Sequence, residues 1–460
     1  MTTAQQRVAV IGGGIAGLAA AHALVTADES GEQPAVVVFE RDDRVGGKLR
    51  TSPFAGHPAI DEGADAFLAR IPWATALAQS VGIGDTLVSP DARSAAVWWD
   101  ALHTIPEGLL LGMPTEILAL ARSGLLSWPG KLRAATEPFR RRTSLEPDSL
   151  GRYVRARFGN EVHFRLVDPL VGSIYAADTD HFSLAAVPQI AELAARGRSV
   201  LVTARRTPQP SPAAGPVFQS PREGMGALAT ATAATVAAAG GELRLDTEVT
   251  TVLRDGGGWR INDQYFDAVV LAAPSAVAAG LLQREAPDAA AVLAAIPAAD
   301  VAIVTIALDA ADWPAHLAGM SGYLVPKPQQ RLVTAASFGS QKWTHWAMPG
   351  SVILRISLGR DGLPVLHLSD EQLLTAAIQE VGQHLGFTPQ PQHVRVTRWP
   401  AAFPQYRPHH AEHIAVAQRA LPSGLAIAGA GYHGIGVPAC IRSGQQAAEL
   451  THTFLRPVAQ

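Results

Sequence analysis

Three glycines near the start of the chain, Gly12, Gly14 and Gly17, have the G-x-G-x-x-G spacing of a loop that binds a pyrophosphate. The apolar residues 8–11 precede them, and the small residues 18–25 follow with the pattern of a helix. The first glycine permits a tight turn, the second lets a phosphate approach the backbone, and the third lets helix and strand pack closely. The helix N-terminus adds free N–H groups and a partial positive charge. The spacing therefore predicts a dinucleotide-binding unit of strand, turn and helix.

A second apolar run, residues 35–39, ends in Glu40. A carboxylate at this position accepts hydrogen bonds from the ribose hydroxyls of a dinucleotide. It would also repel a 2′-phosphate, so the residue argues against a phosphorylated ribose. Together with the glycine loop, Glu40 extends the prediction from one motif to a complete opening unit.

Another glycine pair, Gly46 and Gly47, lies within residues 44–51, which read R-V-G-G-K-L-R-T. The two glycines permit close backbone approach to a cofactor, and Lys48 or Arg50 would neutralise its pyrophosphate. A simple loop turn is the alternative for the glycine pair taken alone. Beside the first motif, the pair favours a second contact with the same dinucleotide.

A third glycine-rich loop, residues 429–436, follows the apolar residues 425–428 near the C-terminus and leads into a helix. Pro438 falls in the first helical turn, where its missing N–H costs nothing. The positive end of such a helix attracts negative charge. A helix cap without any ligand is the alternative interpretation of this segment.

Composition limits the other classes of protein. The chain has 460 residues, 48% hydrophobic and 17% charged, which predicts a well-buried protein of about two or three domains. A net charge of −3 gives no general attraction to nucleic acid. The single cysteine, Cys440, excludes an internal disulfide and a cysteine-ligated cluster. With neither a signal-peptide pattern nor a run of 18 apolar residues, we expect a cytoplasmic protein.

The motifs resemble the FAD site of the amine oxidase, phytoene desaturase and protoporphyrinogen oxidase superfamily rather than the site of ordinary NAD dehydrogenases. Over nearly the whole chain the resemblance is closest to the oxygen-dependent protoporphyrinogen and coproporphyrinogen III oxidases of Gram-positive and actinobacterial type. Four further stretches carry this resemblance: residues 61–68, 168–178, 341–343 and 399–410. The chain departs from the family pattern at Ala64 and Ala66, at Pro408, and at Ile71, where a second basic residue is expected after Arg70.

The resemblance implies an α/β fold with three parts. A Rossmann-like FAD-binding domain of the amine oxidase and glutathione reductase type would comprise residues 1–66, 214–280 and 415–460. An antiparallel-sheet substrate domain would comprise residues 67–100, 181–213 and 281–414. A helical domain that faces a membrane or a partner would comprise residues 101–180.

The resemblance also implies an activity, the oxidation of coproporphyrinogen III to coproporphyrin III in haem biosynthesis. Six electrons leave in three flavin cycles, and dioxygen is reduced to hydrogen peroxide. The flavin performs the hydride abstraction, so no catalytic side chain is expected. The alternatives are oxidation of protoporphyrinogen IX, a flavin amine oxidase or desaturase of the same fold, and a porphyrin-binding flavoprotein with little turnover.

Site residues carry over from the family motifs position by position. For the substrate we expect Phe67, Arg70 and Tyr175, with core packing or a solvated surface position as the alternative for each. Arg152, Arg196 and Arg198 are further candidates for the propionate groups. The cofactor-binding residues so implied are Gly12, Gly13, Gly14, Ile15, Ala16, Gly17, Glu40, Arg41, Gly46, Gly47, Lys48, Leu49, Gly63, Ala64, Asp65, Val249, Ala273, Gly429, His433, Gly436, Val437 and Pro438.

The expected partners are the porphyrinogen and dioxygen, with transient product handover to ferrochelatase. Residues 108–114 and 124–133 place Leu, Met and Trp near Lys131 and the arginines that follow. This combination favours peripheral contact with the inner face of the cell membrane or with a partner, and an ordinary amphipathic helical domain is the alternative. The histidines of residues 409–413 are interpreted as an exposed loop rather than a metal site, because adjacent histidines point in different directions.

Overall fold

A computed structural model describes residues 5–26, 33–92, 94–206 and 215–456. The strands are β1 Arg7–Ile11, β2 Ala35–Phe39, β3 Thr51–Phe54, β4 His57–Asp61, β5 Phe67–Leu68, β6 Leu87–Val88, β7 Ser94–Trp99, β8 Ala101–Thr104, β9 Leu109–Leu110, β10 Met113–Pro114, β11 Phe218–Pro221, β12 Glu242–Arg244, β13 Val252–Asp255, β14 Gly258–Ile261, β15 Gln264–Phe266, β16 Ala268–Leu271, β17 Ala298–Asp309, β18 Met320–Leu324, β19 Val333–Phe338, β20 Ser351–Leu358, β21 His393–Pro404 and β22 Leu425–Ile427. The α-helices are α1 Ile15–Thr26, α2 Pro72–Ser80, α3 Ile117–Arg122, α4 Trp128–Ala135, α5 Leu150–Phe158, α6 Asn160–Val162, α7 Asp168–Tyr175, α8 Pro188–Arg196, α9 Val200–Arg206, α10 Gly226–Ala238, α11 Ser275–Leu282, α12 Pro287–Ala294, α13 Gly339–Lys342, α14 Asp370–Leu385, α15 His410–Arg419 and α16 Val437–Leu455.

A five-stranded parallel sheet in the order β12-β2-β1-β16-β22 forms the core of the cofactor domain. Both of its faces are covered, which is why its strands are continuous apolar runs. Along β1, Val8 and Val10 face a cluster with α1 and α16, whereas Ala9 and Ile11 face a cluster with α11, α12 and α15. This alternation produces the doubly covered sheet that the sequence predicts.

Two of the covering helices cross in contact on one face of this sheet. A Cβ at Gly444 of α16 would clash with the backbone oxygen of Ala16 in α1, so the crossing requires a glycine there. Helix α16 then runs back to the start of β1, where the Gln6 side chain donates to the Leu455 carbonyl at 2.9 Å. The N-termini of α1 and α16 therefore both lie at the carboxyl edge of the parallel sheet.

The second large sheet has seven strands in the order β21-β17-β20-β19-β18-β7-β8. Its neighbours are antiparallel except for the parallel pair β18–β7. Helix α14 covers one face, where Leu373, Ala377 and Val381 pack against alternate residues of β17 and β20. Residues 297–400 thus form the separate antiparallel sheet expected from their alternating pattern.

The helical region differs from its predicted range at both ends. Residues 101–104 form β8, which pairs with β7 across a turn at Asp100 and so belongs to the seven-stranded sheet. Helices α8 and α9 pack into the same apolar cluster as α5, through residues such as Ile190 and Leu201. The helices therefore continue to Arg206, because the apolar stripe of α8 is buried against α5. The predicted boundary at 213/214 lies outside the described residues. No helix of the described ranges has the length and hydropathy needed to span a membrane.

A buried ion pair, Glu137 with Arg157, ties this helical region together. Both side chains are completely buried, and the Arg157 Nε donates to Glu137 Oε1 at 2.8 Å. Glu137 also accepts from the Ser199 hydroxyl at 2.6 Å and from the Val200 amide at 2.9 Å. The carboxylate therefore holds the start of α9 as well as the guanidinium of α5.

Replacing Glu137 with glutamine should destabilise the helical region by about 3–5 kcal/mol, because the Arg157 charge stays buried without its partner. The measurement is the urea midpoint followed by tryptophan emission. Glu192→Gln is the matched control, since its pair with Arg196 is exposed and is worth about 0.3–0.5 kcal/mol. Equal midpoints for the two variants would contradict the prediction.

Candidate functional site

The crevice at the carboxyl edge of the parallel sheet begins with the first glycine loop. Gly12 has φ +109°, its amide donates to the Phe39 carbonyl at 2.8 Å, and a Cβ there would lie 2.7 Å from the Ala272 oxygen. A Cβ at Gly17 would clash with the Gly12 carbonyl. At Gly14, by contrast, a Cβ would meet no heavy atom within 4 Å. The loop is therefore closed toward the protein and open at the one glycine expected to meet a phosphate.

Glu40 lies beside this loop with a buried carboxylate. Its Oε2 accepts from the Gly13 amide at 2.7 Å, and its Oε1 accepts from the Asp42 amide at 3.0 Å. Each oxygen keeps a second lone pair, so the carboxylate can still accept hydrogen bonds from hydroxyl groups. Val249 and Ala273 pack into the apolar cluster under the same strand ends. This end of the crevice fits the adenosine half of a dinucleotide.

The second glycine loop is hydrogen-bonded directly to the first. The Gly46 amide donates to the Gly13 carbonyl at 2.8 Å, and the Leu49 amide donates back to Gly46 at 3.0 Å. Gly46 and Gly47 have φ of +98° and +54°, in the left-handed region that favours glycine. Ile15, Ala16 and Leu49 are buried behind the loops, and Arg41 is exposed beside Asp42.

Lys48 and Arg50, predicted to meet the pyrophosphate, are held by protein acceptors. The Lys48 ammonium donates to the Ala402 carbonyl at 2.8 Å and to the Ala401 carbonyl at 3.3 Å. Arg50 Nε lies 3.1 Å from Glu62 Oε1. Both cations therefore join the glycine loops to neighbouring segments, and the N-terminus of α1 remains as a group that could hold a pyrophosphate.

The acidic segment 61–65 links these loops to the seven-stranded sheet. Asp65, expected at the cofactor, accepts from Lys342 Nζ at 2.8 Å and from Trp343 Nε1 at 3.3 Å. Arg355 Nη1 lies 3.4 Å from Asp65 Oδ2, and Arg355 Nη2 donates to the Gly63 carbonyl. Although burial opposes ionisation, these cations hold the pKa of Asp65 below its ordinary value. The Asp65 carboxylate is thus bound by these three side chains, whereas the neighbouring Ala64 is exposed.

Asp61 shows the opposite electrostatics four residues earlier. It accepts from the Thr51 hydroxyl at 2.5 Å and from the Met225 amide at 2.8 Å. Complete burial raises the pKa of Asp61 to about 6, against these hydrogen bonds and the charge of Arg355. Asp61 therefore anchors the start of α10 to β3 rather than acting as an exposed acid.

The C-terminal loop supplies the other end of the crevice. Gly429 has φ +130°, its amide donates to the Ser443 hydroxyl at 3.1 Å, and a Cβ there would meet nothing within 4 Å. Gly436 precedes α16 without a side-chain cap, so the first-turn amides are free to face an anion. Val437 and Pro438 are buried in this turn. The predicted cofactor contact His433 instead lies 3.0 Å from the Gln418 amide nitrogen, beside the groove between α15 and α16.

The structure places the three predicted substrate residues in different surroundings. Phe67 is buried in the cluster that contains α1 and α16, whereas Tyr175 packs in the cluster of the helical region. Arg70 is exposed and makes no ion pair or hydrogen bond with another described residue. The other candidate arginines bind Glu146, Glu192 and Pro138 within the helical region. Among the predicted substrate arginines, Arg70 is therefore the one without a partner in the described part of the chain.

Sequence reasoning missed the role of Tyr406. Its hydroxyl donates to the Ala430 carbonyl at 2.6 Å and accepts from the Gly434 amide at 2.8 Å. The expected exposed loop at the neighbouring histidines is wrong for His410, which begins α15 and is buried because its ring stacks on Tyr406 at 4.0 Å. Among the described ranges, no three His, Cys, Asp or Glu side chains gather around a metal position. The sequence signal for Tyr406 was its place in the P-Q-Y segment that carries the family resemblance.

Comparisons with known proteins agree with this geometry. Residues 15–451 match the family described as flavin containing amine oxidoreductase. The coproporphyrinogen III oxidase of Mycobacterium bovis is 35% identical and covers 94% of this chain and 94% of its own, and that of Bacillus subtilis is 30% identical over 99% and 100%. A crystal structure from Exiguobacterium sp. 255-15 is 29% identical, covers 98% of this chain and 99% of its own, and superposes with a TM-score of 0.85. The resemblance and the fold class predicted from the sequence are thereby confirmed, and the chain belongs to the flavin containing amine oxidoreductases, in the group that includes the coproporphyrinogen III oxidases.

Proposed function

We propose that this chain uses FAD to oxidise coproporphyrinogen III to coproporphyrin III in haem biosynthesis. Its near full-length similarity to coproporphyrinogen III oxidases supports the substrate. The single structural observation that carries the cofactor is the crevice in which two glycine loops and the N-termini of α1 and α16 meet. An amine oxidase, a protoporphyrinogen oxidase and a porphyrin-binding flavoprotein are the outcomes against which the proposal is tested.

The reaction balances with dioxygen as the final oxidant. Bound FAD would accept two electrons per cycle as hydride from a meso carbon and deliver them to dioxygen. Over three cycles the porphyrinogen loses six electrons and six protons, and three dioxygen molecules become three of hydrogen peroxide. Besides the three hydrides, two pyrrole N–H protons and one meso proton pass to solvent, so the protein needs to bind and orient the ring rather than supply an acid or a base.

The chain's own groups would divide the cofactor between them. The backbone at Gly14 and the first turn of α1 would hold the pyrophosphate, and Glu40 would accept the ribose hydroxyls. The first turn of α16 after Gly436 would stabilise negative charge on the reduced pyrimidine ring, which favours hydride acceptance. We assign the remaining predicted cofactor residues to these two ends, with the side chains of Lys48, Asp65 and His433 turned to protein partners.

A substrate edged with four propionates requires cations at the rim of the crevice. We assign this role first to Arg70, because its guanidinium has no competing carboxylate among the described residues. Tyr175 would line the space for the porphyrinogen, here called the substrate chamber, from the side of the helical region. Phe67 would support the substrate site through packing, since its side chain is buried in the core of the cofactor domain.

Gly14→Val should weaken FAD binding without unfolding the protein, because the added Cβ would occupy the space that we assign to the phosphates and would meet no heavy atom of the protein within 4 Å. We expect the dissociation constant for FAD to rise at least about tenfold, measured by flavin fluorescence. The matched control is Gly280→Val in α11, whose Cβ position is equally open. Unchanged FAD affinity in Gly14→Val would place the pyrophosphate elsewhere.

In air, purified protein should form porphyrin and peroxide faster from coproporphyrinogen III than from protoporphyrinogen IX, because the second substrate has only two propionates. Porphyrin fluorescence and peroxide release are followed side by side, with an amine substrate in parallel. A preference for protoporphyrinogen IX, the two-propionate substrate, would instead assign the protein to the oxidation of protoporphyrinogen IX. Activity with the amine alone would show that the protein is an amine oxidase. Tight porphyrin binding without peroxide release would show that it is a porphyrin-binding protein.

The same assay tests the rim cation. Arg70→Ala should lower kcat/KM for coproporphyrinogen III by about 10- to 100-fold, the loss of one charge-assisted hydrogen bond. Arg196→Ala serves as the control, since Arg196 pairs with Glu192 on the helical surface. Equal effects of the two substitutions on kcat/KM would show that Arg70 does not bind the substrate.

We also propose that the helical region makes peripheral contact with an anionic membrane surface. Trp128, Leu132 and Phe139 are 74%, 67% and 86% exposed, and Lys131 Nζ lies 5.0 Å from the Trp128 ring. Exposed aromatic and aliphatic side chains beside cations are typical of an interfacial surface. Such a surface would also suit transient transfer of the product to ferrochelatase.

Vesicles containing phosphatidylglycerol should sediment the protein at low salt and release it above about 0.15 M salt, because the attraction is screened. Trp128→Ser with Phe139→Ser should weaken this binding, and Leu450→Ser, an equally exposed position on α16, should not. Binding that persists at high salt, or that survives the double substitution, would contradict a peripheral contact by this surface. Capture of ferrochelatase without vesicle binding would favour the partner instead.

A further inference from the structure

Residues 404–410, here called the junction segment, connect three parts of the fold. The segment follows β21 of the seven-stranded sheet and leads into α15 of the cofactor domain. Its Gln405 side chain donates to the Tyr175 carbonyl at 3.1 Å, and its Tyr406 carbonyl accepts from the Ser183 amide at 2.8 Å. The segment therefore touches the helical region at the residue proposed to line the substrate chamber.

Within the junction segment, the Tyr406 hydroxyl reaches the glycine-rich loop of residues 429–436, here called the cofactor-facing loop. It bridges the Ala430 carbonyl and the Gly434 amide, at 2.6 Å and 2.8 Å. These two groups lie on either side of the turn that leads to Gly436 and α16. Burial raises the pKa of Tyr406, so the hydroxyl remains protonated and can donate and accept at once.

The Tyr406 ring belongs to a column of aromatic rings. It stacks on His410 at 4.0 Å with an interplanar angle of 10° and on Phe182 at 6.0 Å with an angle of 8°. The Phe182 ring lies 4.7 Å from that of Tyr175. Burial lowers the pKa of His410 to about 4, so this ring stays uncharged at neutral pH. The column runs without a gap from α7 to α15.

We propose that Tyr406 is a positioning residue whose hydroxyl fixes the cofactor-facing loop and whose ring couples that loop to the substrate chamber at Tyr175. The identities of cofactor and substrate rest on the proposed function. Loss of the hydroxyl removes the partner of a half-buried carbonyl and a half-buried amide, so we expect the loop before α16 to rearrange. The helix terminus that faces the flavin would shift with it.

Tyr406→Phe tests the hydroxyl while the ring column is kept. The matched control is Tyr432→Phe, because Tyr432 is buried in the same loop and its hydroxyl has no hydrogen-bond partner in the described structure. We expect Tyr406→Phe to raise the dissociation constant for FAD about tenfold and to shift the flavin absorption bands and reduction potential. Tyr432→Phe should stay within about twofold of the parent.

Phe182→Leu tests the ring column with the hydroxyl intact, and it covers the case in which Tyr406→Phe does not fold. This variant should raise KM for the porphyrinogen while FAD affinity and reduction potential stay unchanged. If Tyr406→Phe behaves like Tyr432→Phe, the hydroxyl does not position the loop. If Phe182→Leu leaves KM unchanged, the column does not couple the two sites. The flavin measurements need no porphyrinogen, so they decide the role of Tyr406 even if both porphyrinogens prove to be poor substrates.

Discussion

Two helix N-termini converge on one crevice because α1 and α16 cross in contact at Gly444, and most of the site depends on that crossing. Each terminus carries unsatisfied amides and about half a positive charge. Both ends lie at the carboxyl edge of the parallel sheet, with amides that have no partner within their own helix. An anionic dinucleotide would satisfy these amides and this charge, so its binding would stabilise the folded domain by mass action. The glycine loops serve the same arrangement, since each is closed toward protein and open toward the crevice.

The second layer of organisation is the segment 61–65, where two aspartates take opposite electrostatic roles. Asp65 lies among cations from the seven-stranded sheet and stays ionised, whereas Asp61 is enclosed and its pKa is raised to about 6. One carboxylate therefore ties the cofactor loops to the seven-stranded sheet through charge, and the other anchors the start of α10 to β3 through hydrogen bonds to Met225 and Thr51. The crevice is held between a rigid parallel sheet and the seven-stranded sheet by groups that do not themselves need to contact the reacting atoms.

Sequence reasoning predicted the parts of the site that local conformation determines. The turns at Gly12, Gly46 and Gly429 depend on glycine at positions of positive φ, and such requirements are visible in a motif. The acceptor of Lys48 is 354 residues away in the chain, and the Tyr406 bridge spans 24 and 28 residues, so neither follows from spacing. The ends of the helical region differ from the predicted ones for a related reason. Whether residues 101–104 pair as a strand, or α8 packs on α5, is decided by partners that the local pattern does not name.

The cradle for the cofactor is built from strands and helices at opposite ends of the chain, β1 and α1 at one end and β22 and α16 at the other. During translation, at about 5–20 residues per second, β1 leaves the ribosome on the order of tens of seconds before α16. Through that interval the apolar faces of β1 and α1 lack the helix that covers them. The growing chain thus has a long period in which this apolar surface is exposed to aggregation, before the helix that covers it has been made.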